Sequence, residues 1–118
     1  MWEVEFTDEF GRWWDQLTAD EQESVAACVE LLRQSGPHLQ RPYADTLKGS
    51  RHLNMKELRV QHGGRPLRTL FAFDPRRTAI LLIGGDKTGD NRFYKRMIPI
   101  ADNLYDEHLE TLRNEGLI

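Results

Sequence analysis

Residues 2–6, Trp-Glu-Val-Glu-Phe, alternate apolar and acidic side chains, the period of a strand with one buried face. The period then lengthens. Phe10, Trp13, Trp14 and Leu17 recur at i, i+3, i+4 and i+7 behind Thr7, which can cap the first turn, so a short amphipathic helix follows. Thr18-Ala19-Asp20-Glu21 is a capping box, and Val25, Cys28, Val29 and Leu32 stripe the helix it opens. Gly36 followed by Pro37 ends that helix. The two helices make a hairpin whose Trp and Leu stripes are core. Residues 37–55 show neither period and form one long irregular segment carrying Arg41, Lys48, Arg51 and His52. Long loops in compact domains are often functional.

Residues 56–62 and 65–74 read as a hairpin closed by the two-residue turn Gly63-Gly64. That turn sets Arg59 opposite Arg68 and Val60 opposite Leu67. Leu58, Val60, Leu67, Thr69, Phe71 and Phe73 then share the other face, the core side. Asp74-Pro75-Arg76-Arg77 is a second tight turn. With Pro75-Arg76 at its tip, it sets Arg68 opposite Ile83 and carries Lys87 to the arginine side if the chain stays extended. Residues 78–85, Thr-Ala-Ile-Leu-Leu-Ile-Gly-Gly, are apolar on both faces, as an internal strand requires. Pro99 suits the first turn of a final helix bearing Ala101, Leu104, Tyr105, Leu109 and Leu112. The order β-α-α-β-β-β-α predicts an α+β fold: a small antiparallel sheet with an N-terminal helical hairpin and a C-terminal helix.

The chain of 118 residues has the length of a single domain, 1–118, and its 39% hydrophobic and 30% charged residues suit a folded globule. It has no run long and apolar enough for a membrane, and its first residues lack the basic start and apolar run of a signal peptide, so a cytoplasmic protein is expected. Cys28 is the only cysteine, which rules out an internal disulfide and a cysteine zinc site, and it reads as a small buried hydrophobe. His38, His52, His62 and His108 lack zinc-ligand spacing, and Gly84-Gly85-Asp86-Lys87-Thr88-Gly89 lacks the spacing of a phosphate-binding loop. No cofactor or metal is expected, and a nucleoside triphosphatase is excluded.

The net charge of −3 conceals an uneven distribution. Residues 1–39 carry 2 basic and 9 acidic side chains, residues 40–100 carry 13 and 5, and residues 101–118 carry 1 and 5. A basic middle between acidic ends either forms a polyanion-binding surface or interleaves with the acids in three dimensions. Two arginines facing each other cost stability unless an anion lies between them. Glu57 shares that face, diagonal to Arg68, so either a Glu57 salt bridge neutralises the pair or an anionic ligand does. The bend after the internal strand presents Arg92, Phe93, Tyr94, Lys95 and Arg96, aromatics among cations, the composition of a single-stranded nucleic-acid site. Phe93 suits a core position capping the sheet, and His52, in the basic loop, is the histidine to test as an acid or base.

The order of elements, together with LKGSRHLNMKELRV (47–60), RPLRTLFAFD (65–74) and LLIGGDKTGDNRFYKRMIPIADNLYDEHL (81–109), resembles the RelE/HigB superfamily of toxins from bacterial toxin–antitoxin pairs. The resemblance is to its phage-derived HigB-like branch and covers nearly the whole chain. It implies a RelE-like fold and cleavage of messenger RNA in the ribosomal A site without a metal, by attack of a ribose 2′-hydroxyl on the adjacent phosphate. It implies that Arg68 is the strand arginine that stabilises the phosphate, that Lys87 lies near a second cationic position, and that Tyr94 stacks on the RNA or donates to it. RelE has lysines on the strand before the hairpin turn, whereas this chain has Lys56 and Glu57, with Glu57 on the active face as a candidate general base. The step from Lys87 to Tyr94 is also one residue longer than in RelE.

The expected catalytic set is therefore Glu57, Arg59, Arg68, Lys87 and Tyr94. The expected RNA-binding set is Lys48, Arg51, His52, Lys56, Arg65, Arg92, Lys95 and Arg96. Implied partners are a helix-turn-helix antitoxin of the HigA kind, the ribosome and messenger RNA. The alternative is a non-enzymatic inhibitor or RNA-binding regulator of the same fold, for example one acting as ParE-like toxins act on DNA gyrase. In that case Arg68→Lys would leave activity largely intact.

Overall fold

The structure, a computed structural model, describes residues 1–118. The chain forms β1 (Val4–Phe6), α1 (Asp8–Gln16), α2 (Ala19–Ser35), a single 3-10 turn (Gly36–His38), β2 (Ala44–Thr46), β3 (Lys56–His62), β4 (Arg65–Phe73), β5 (Ala79–Asp86) and α3 (Phe93–Asn114). The strands make one five-stranded sheet in the order β1-β5-β4-β3-β2. β1 runs parallel to β5, and every other pairing is antiparallel. No helix is long and apolar enough to cross a membrane.

The caps form as the sequence requires. Thr7 accepts from the Phe10 amide at 3.0 Å and donates its hydroxyl to the Leu82 carbonyl at 2.6 Å, tying the start of α1 to β5. Thr18 and Glu21 close the capping box of α2 at 3.2 and 2.7 Å. Gly36 ends α2 at φ +57°, and a Cβ there would lie 2.3 Å from the Trp2 indole, so both backbone and packing call for glycine.

The sheet is buried on both faces, each with its own core. Phe10, Val25, Cys28 and Leu32 of the helical hairpin pack on Leu58, Val60, Leu67, Phe71 and Leu81, the face the hairpin register assigned to the core. On the other face Met55, Leu70, Ala72, Ile80 and Leu82 meet Phe93, Met97, Ile98, Ala101, Leu104 and Tyr105 of α3. The arginine face is thus a second core for most of its length, and only the end near β3 and the start of α3 is left for polar groups. The two glycines of β5 make this layering possible. A Cβ at Gly84 would sit 2.2 Å from the Trp13 ring on the hairpin side, and one at Gly85 would sit 2.8 Å from Phe93 on the α3 side.

Three expectations are corrected. The segment 37–55 contains β2, a three-residue edge strand paired with Lys56–Leu58 of β3. Only Ala44 of its residues is apolar, too little for a visible period. The turn after β4 holds three residues: Asp74 pairs across with Thr78, and Arg77 adopts φ +67°, the left-handed position of a hairpin with one extra residue. A bulge at Leu70/Phe71 adds a second offset, so Arg68 lies opposite Gly85 rather than Ile83. Two single-residue offsets restore the face parity, and Lys87 still reaches the arginine side. Finally, α3 begins at Phe93, not at Pro99, which sits inside the helix. Asp90 accepts from the amide of Arg92, the residue just before the helix, at 3.0 Å. Pro99 leaves the Lys95 carbonyl without its helical partner at an exposed position, where water can supply it.

Candidate active site

β3, β4, the end of β5 and the first turn of α3 converge on the α3 face of the sheet, and five polar side chains meet there. Glu57 is buried, 3% exposed, directly across from Leu70. Its Oε2 accepts from Arg59 Nη1 at 2.9 Å, and its Oε1 accepts from the Tyr94 hydroxyl at 2.6 Å. Arg68, 4% exposed, brings its Nε to 3.6 Å from the same Oε1. Arg68 is held flat against the sheet by Nη1, which donates to the Leu67 carbonyl at 3.0 Å, while its buried Nε has no hydrogen-bond partner. Lys87 Nζ lies 3.4 Å from the Tyr94 hydroxyl and 5.0 Å from the centre of its ring, a cation–π contact.

The opposed arginines are therefore neutralised in part by Glu57, as one of the two readings required. The neutralisation is incomplete, because Lys87 adds a further positive charge. Burial lowers the proton affinity of Lys87 below the ordinary lysine value, and the charges of Arg68, Arg59 and Arg41 lower it further, against the opposing pull of Glu57. Burial, followed by the Glu57 carboxylate, raises the Tyr94 hydroxyl above the ordinary tyrosine value. At neutral pH Tyr94 is thus a protonated phenol and a donor to Glu57.

The remaining cations divide by position. Arg92 and Lys95 are exposed on the first turn of α3, and Arg96 pairs with Asp90 at 2.7 Å beside them, so these three flank the site. Arg51 and His52 lie elsewhere, bonded to α3 farther along its length. Arg51 pairs with Asp106, and His52 Nε2 meets the same carboxylate at 2.8 Å. Asp106 is three turns beyond Tyr94, about 18 Å along the helix axis. The buried Asp102 anchors this loop by accepting from Ser50 Oγ and the Arg51 amide. Lys56 projects to the hairpin face beside Asp45 and Thr46, and Arg65 is held between Glu21 and Asp86. Lys48 is exposed and unpaired in the loop after β2. Cys28 is buried, and that burial pushes its thiol up to about 11.

Sequence reasoning placed Arg41 in the loop but not at the site. It stands at the edge of β3, where the Arg59 amide donates to the Tyr43 carbonyl at 2.8 Å, and it shares a cleft with Arg59 and Arg68. No local signal marks it, because β2 was not visible. A separate apolar groove of about 510 Å³, between β1, α1 and α2, lies on the opposite face of the sheet.

The chain belongs to the family of phage-derived proteins described as Gp49-like, which fits residues 12–106, and within it stands with the HigB-type toxins of toxin–antitoxin systems. It is 45% identical over 106 residues to the protein named as toxin HigB3 of Mycobacterium tuberculosis, a match covering 89% of this chain and 91% of that one. It is 46% identical over 99 residues to the protein named as toxin HigB2 of the same organism, covering 82% of this chain and 49% of that longer one. The fold is that of Escherichia coli RelE. The isolated RelE toxin superposes with a TM-score of 0.56 over 73% of this chain and 84% of that one, at 10% identity. The intact RelBE toxin–antitoxin complex gives 0.55 over 72% and 95%, also at 10% identity.

Proposed function

We propose that this protein is an endoribonuclease toxin that inhibits translation by cutting messenger RNA, engaged by the ribosome, at the Glu57–Tyr94 site. The observation that carries the reading is the 2.6 Å hydrogen bond from a protonated phenol to a buried carboxylate, with Lys87 at 3.4 Å and Arg68 and Arg59 against the carboxylate.

Cleavage by internal attack needs a proton acceptor for the ribose 2′-hydroxyl, cations on the non-bridging phosphate oxygens and a donor to the leaving 5′-oxygen. Glu57 is too buried to meet the ribose directly, and Tyr94 stands over it. The proton therefore passes from the 2′-hydroxyl to the Tyr94 oxygen as Tyr94 gives its own proton to Glu57. Tyr94 is never a tyrosinate in this scheme, in keeping with its raised proton affinity. The 2′-oxygen attacks phosphorus, the bond to the 5′-oxygen breaks, and a 2′,3′-cyclic phosphate and a 5′-hydroxyl result. Lys87, a stronger acid than an ordinary lysine, protonates the leaving oxygen. Arg68 and Arg59 meet the charge that grows on phosphate, and the exposed Arg92 and Lys95 steer the strand. No step calls on a metal.

As a toxin of this type the protein would be silenced by a cognate antitoxin, a helix-turn-helix protein of the HigA kind in this reading. The RelBE neighbour is a complex of a toxin with its antitoxin. The test is primer extension on a defined message in a cell-free translation reaction, with and without ribosomes, using wild-type protein and Arg68→Ala. Cuts within codons that require ribosomes and vanish with Arg68→Ala are expected. Arrested translation without cuts would replace the nuclease with a non-enzymatic inhibitor.

A further inference from the structure

Beside the reacting groups, Arg41, Pro42, Arg59, Gln61 and Arg68 line a cleft of about 240 Å³. Three of its five lining residues are arginines, and no acidic side chain is among them. Arg41 uses Nε on Asp45 Oδ2 at 2.8 Å, and Arg59 uses Nη1 on Glu57. A guanidinium has five N–H donors, so both forks keep donors open. Arg68 forms the wall shared with the reacting centre, and its buried Nε lacks a hydrogen-bond partner. Counting Lys87, four cations face only Asp45 and Glu57 here. At Lys87 the proton affinity is lowered first by burial and then by the charges of Arg68, Arg59 and Arg41, against the pull of Glu57.

We infer that this cleft is a second phosphate subsite, which takes the phosphodiester adjacent to the one being cut and in which Arg41 is a binding residue. The inference rests on the nuclease reading, because it assigns the anion to the same RNA strand. Planar guanidinium forks suit a tetrahedral phosphate with two oxygens to offer. The subsite also orients the strand. With one phosphate held between Arg41 and Arg59, the next is carried over the wall formed by Arg68 to Tyr94, which converts binding into alignment of the 2′-oxygen with phosphorus.

The test is fluorescence anisotropy with a short labelled RNA bearing 2′-fluoro sugars, which keeps the phosphates and removes the nucleophile, measured across a salt series. The proteins are wild type, Arg41→Gln, Arg41→Lys and Arg12→Gln, the last removing one exposed charge on α1. Arg41→Gln should weaken binding about tenfold and reduce the salt slope by about 0.7, the value for one lost contact to a single strand. Arg41→Lys should fall between it and wild type, and Arg12→Gln should bind as wild type does. Equal binding by wild type and Arg41→Gln, equal losses in Arg41→Gln and Arg12→Gln, or no RNA binding by wild type would each overturn the subsite. Binding as expected with no cut in the translation reaction would instead overturn the nuclease reading and leave the subsite standing as part of an RNA-binding surface.

Discussion

A proton relay makes a quantitative claim that separate catalytic groups do not. Tyr94→Phe deletes the hydroxyl that both receives from the ribose and donates to Glu57 at 2.6 Å, while Glu57→Gln leaves the hydroxyl without a basic terminus. Each substitution should lower the cleavage rate about 10³-fold, within the range of about 10²–10⁴ for a positioned acid or base and equivalent to about 4 kcal/mol of barrier. Independent groups would lose about 10⁶-fold together. In a relay the second substitution removes nothing the first has left in place, so the double variant should stay near 10³. The assay is the initial rate of cut-message formation by primer extension in a ribosome-programmed reaction. Stability must be followed in parallel. Tyr94→Phe leaves Glu57 with Arg59 at 2.9 Å and should cost about 1.5 kcal/mol. Glu57→Gln leaves Arg68 buried without a carboxylate and should cost about 3 kcal/mol. A double variant whose loss equals the product of the singles, or a Tyr94→Phe protein that cuts at the wild-type rate, would refute the relay.

Other consequences concern pH, packing and the turn at Asp74. If Lys87 donates to the leaving oxygen, cleavage falls as pH rises through its pKa, which burial and the neighbouring arginines hold below the ordinary lysine value. A pH–rate profile should show that alkaline limb below about pH 10.4, and Lys87→Arg should move it beyond the measurable range. Gly85→Ala places a methyl 2.8 Å from the Phe93 ring and should displace the start of α3. It should cost about 1–3 kcal/mol by denaturant titration and lower cleavage more than Gly84→Ala, which is more crowded but presses on Trp13 instead. Asp74 is buried, which pushes its carboxyl up, but its bonds to Arg76 and His108 prevail and hold it below the ordinary value. Its contribution is therefore present above the unfolded pKa near 4 and lost as pH falls through the lower folded value. Asp74→Asn should cost about 3 kcal/mol at pH 7 and flatten the acid limb of a stability profile.

Legibility in the sequence followed the strength of the local signals. Thr7, the Thr18–Glu21 box and Gly36 fixed both helices of the hairpin, because caps are read over three or four residues. Gly63-Gly64 fixed the β3–β4 register, and with it the Arg59–Arg68 pairing. The β4–β5 register was out by two. The left-handed Arg77 replaces the usual glycine of its turn, and the bulge at Leu70/Phe71 lies in a stretch that is apolar on both faces, where no alternation marks an extra residue. The start of α3 was misread because Arg92 is no standard cap and Pro99 resembles a first-turn proline.

Among the site residues, those that share a face separate from those that merely share a charge. Face parity brought Glu57, Arg59, Arg68 and Lys87 together, and Tyr94 joined them through the first turn of α3. Arg51, His52 and Arg65 were grouped with them by sign and sequence position alone. Their carboxylate partners, Asp106, Glu21 and Asp86, come from distant segments and hold them elsewhere. The acidic ends of the chain therefore interleave with part of the basic middle, at Arg51, Arg65 and Arg76.

The most direct test of the central claim is a single atom in the substrate. A message programmed into ribosomes would carry one 2′-deoxyribose at a position cut in the all-ribose control, with products mapped by primer extension. Attack by the 2′-oxygen through Tyr94 and Glu57 predicts that this cut alone disappears, and that the control leaves a 2′,3′-cyclic phosphate and a 5′-hydroxyl. A cut that persists at the deoxyribose would mean that the nucleophile is not the ribose, contradicting the mechanism built on this site.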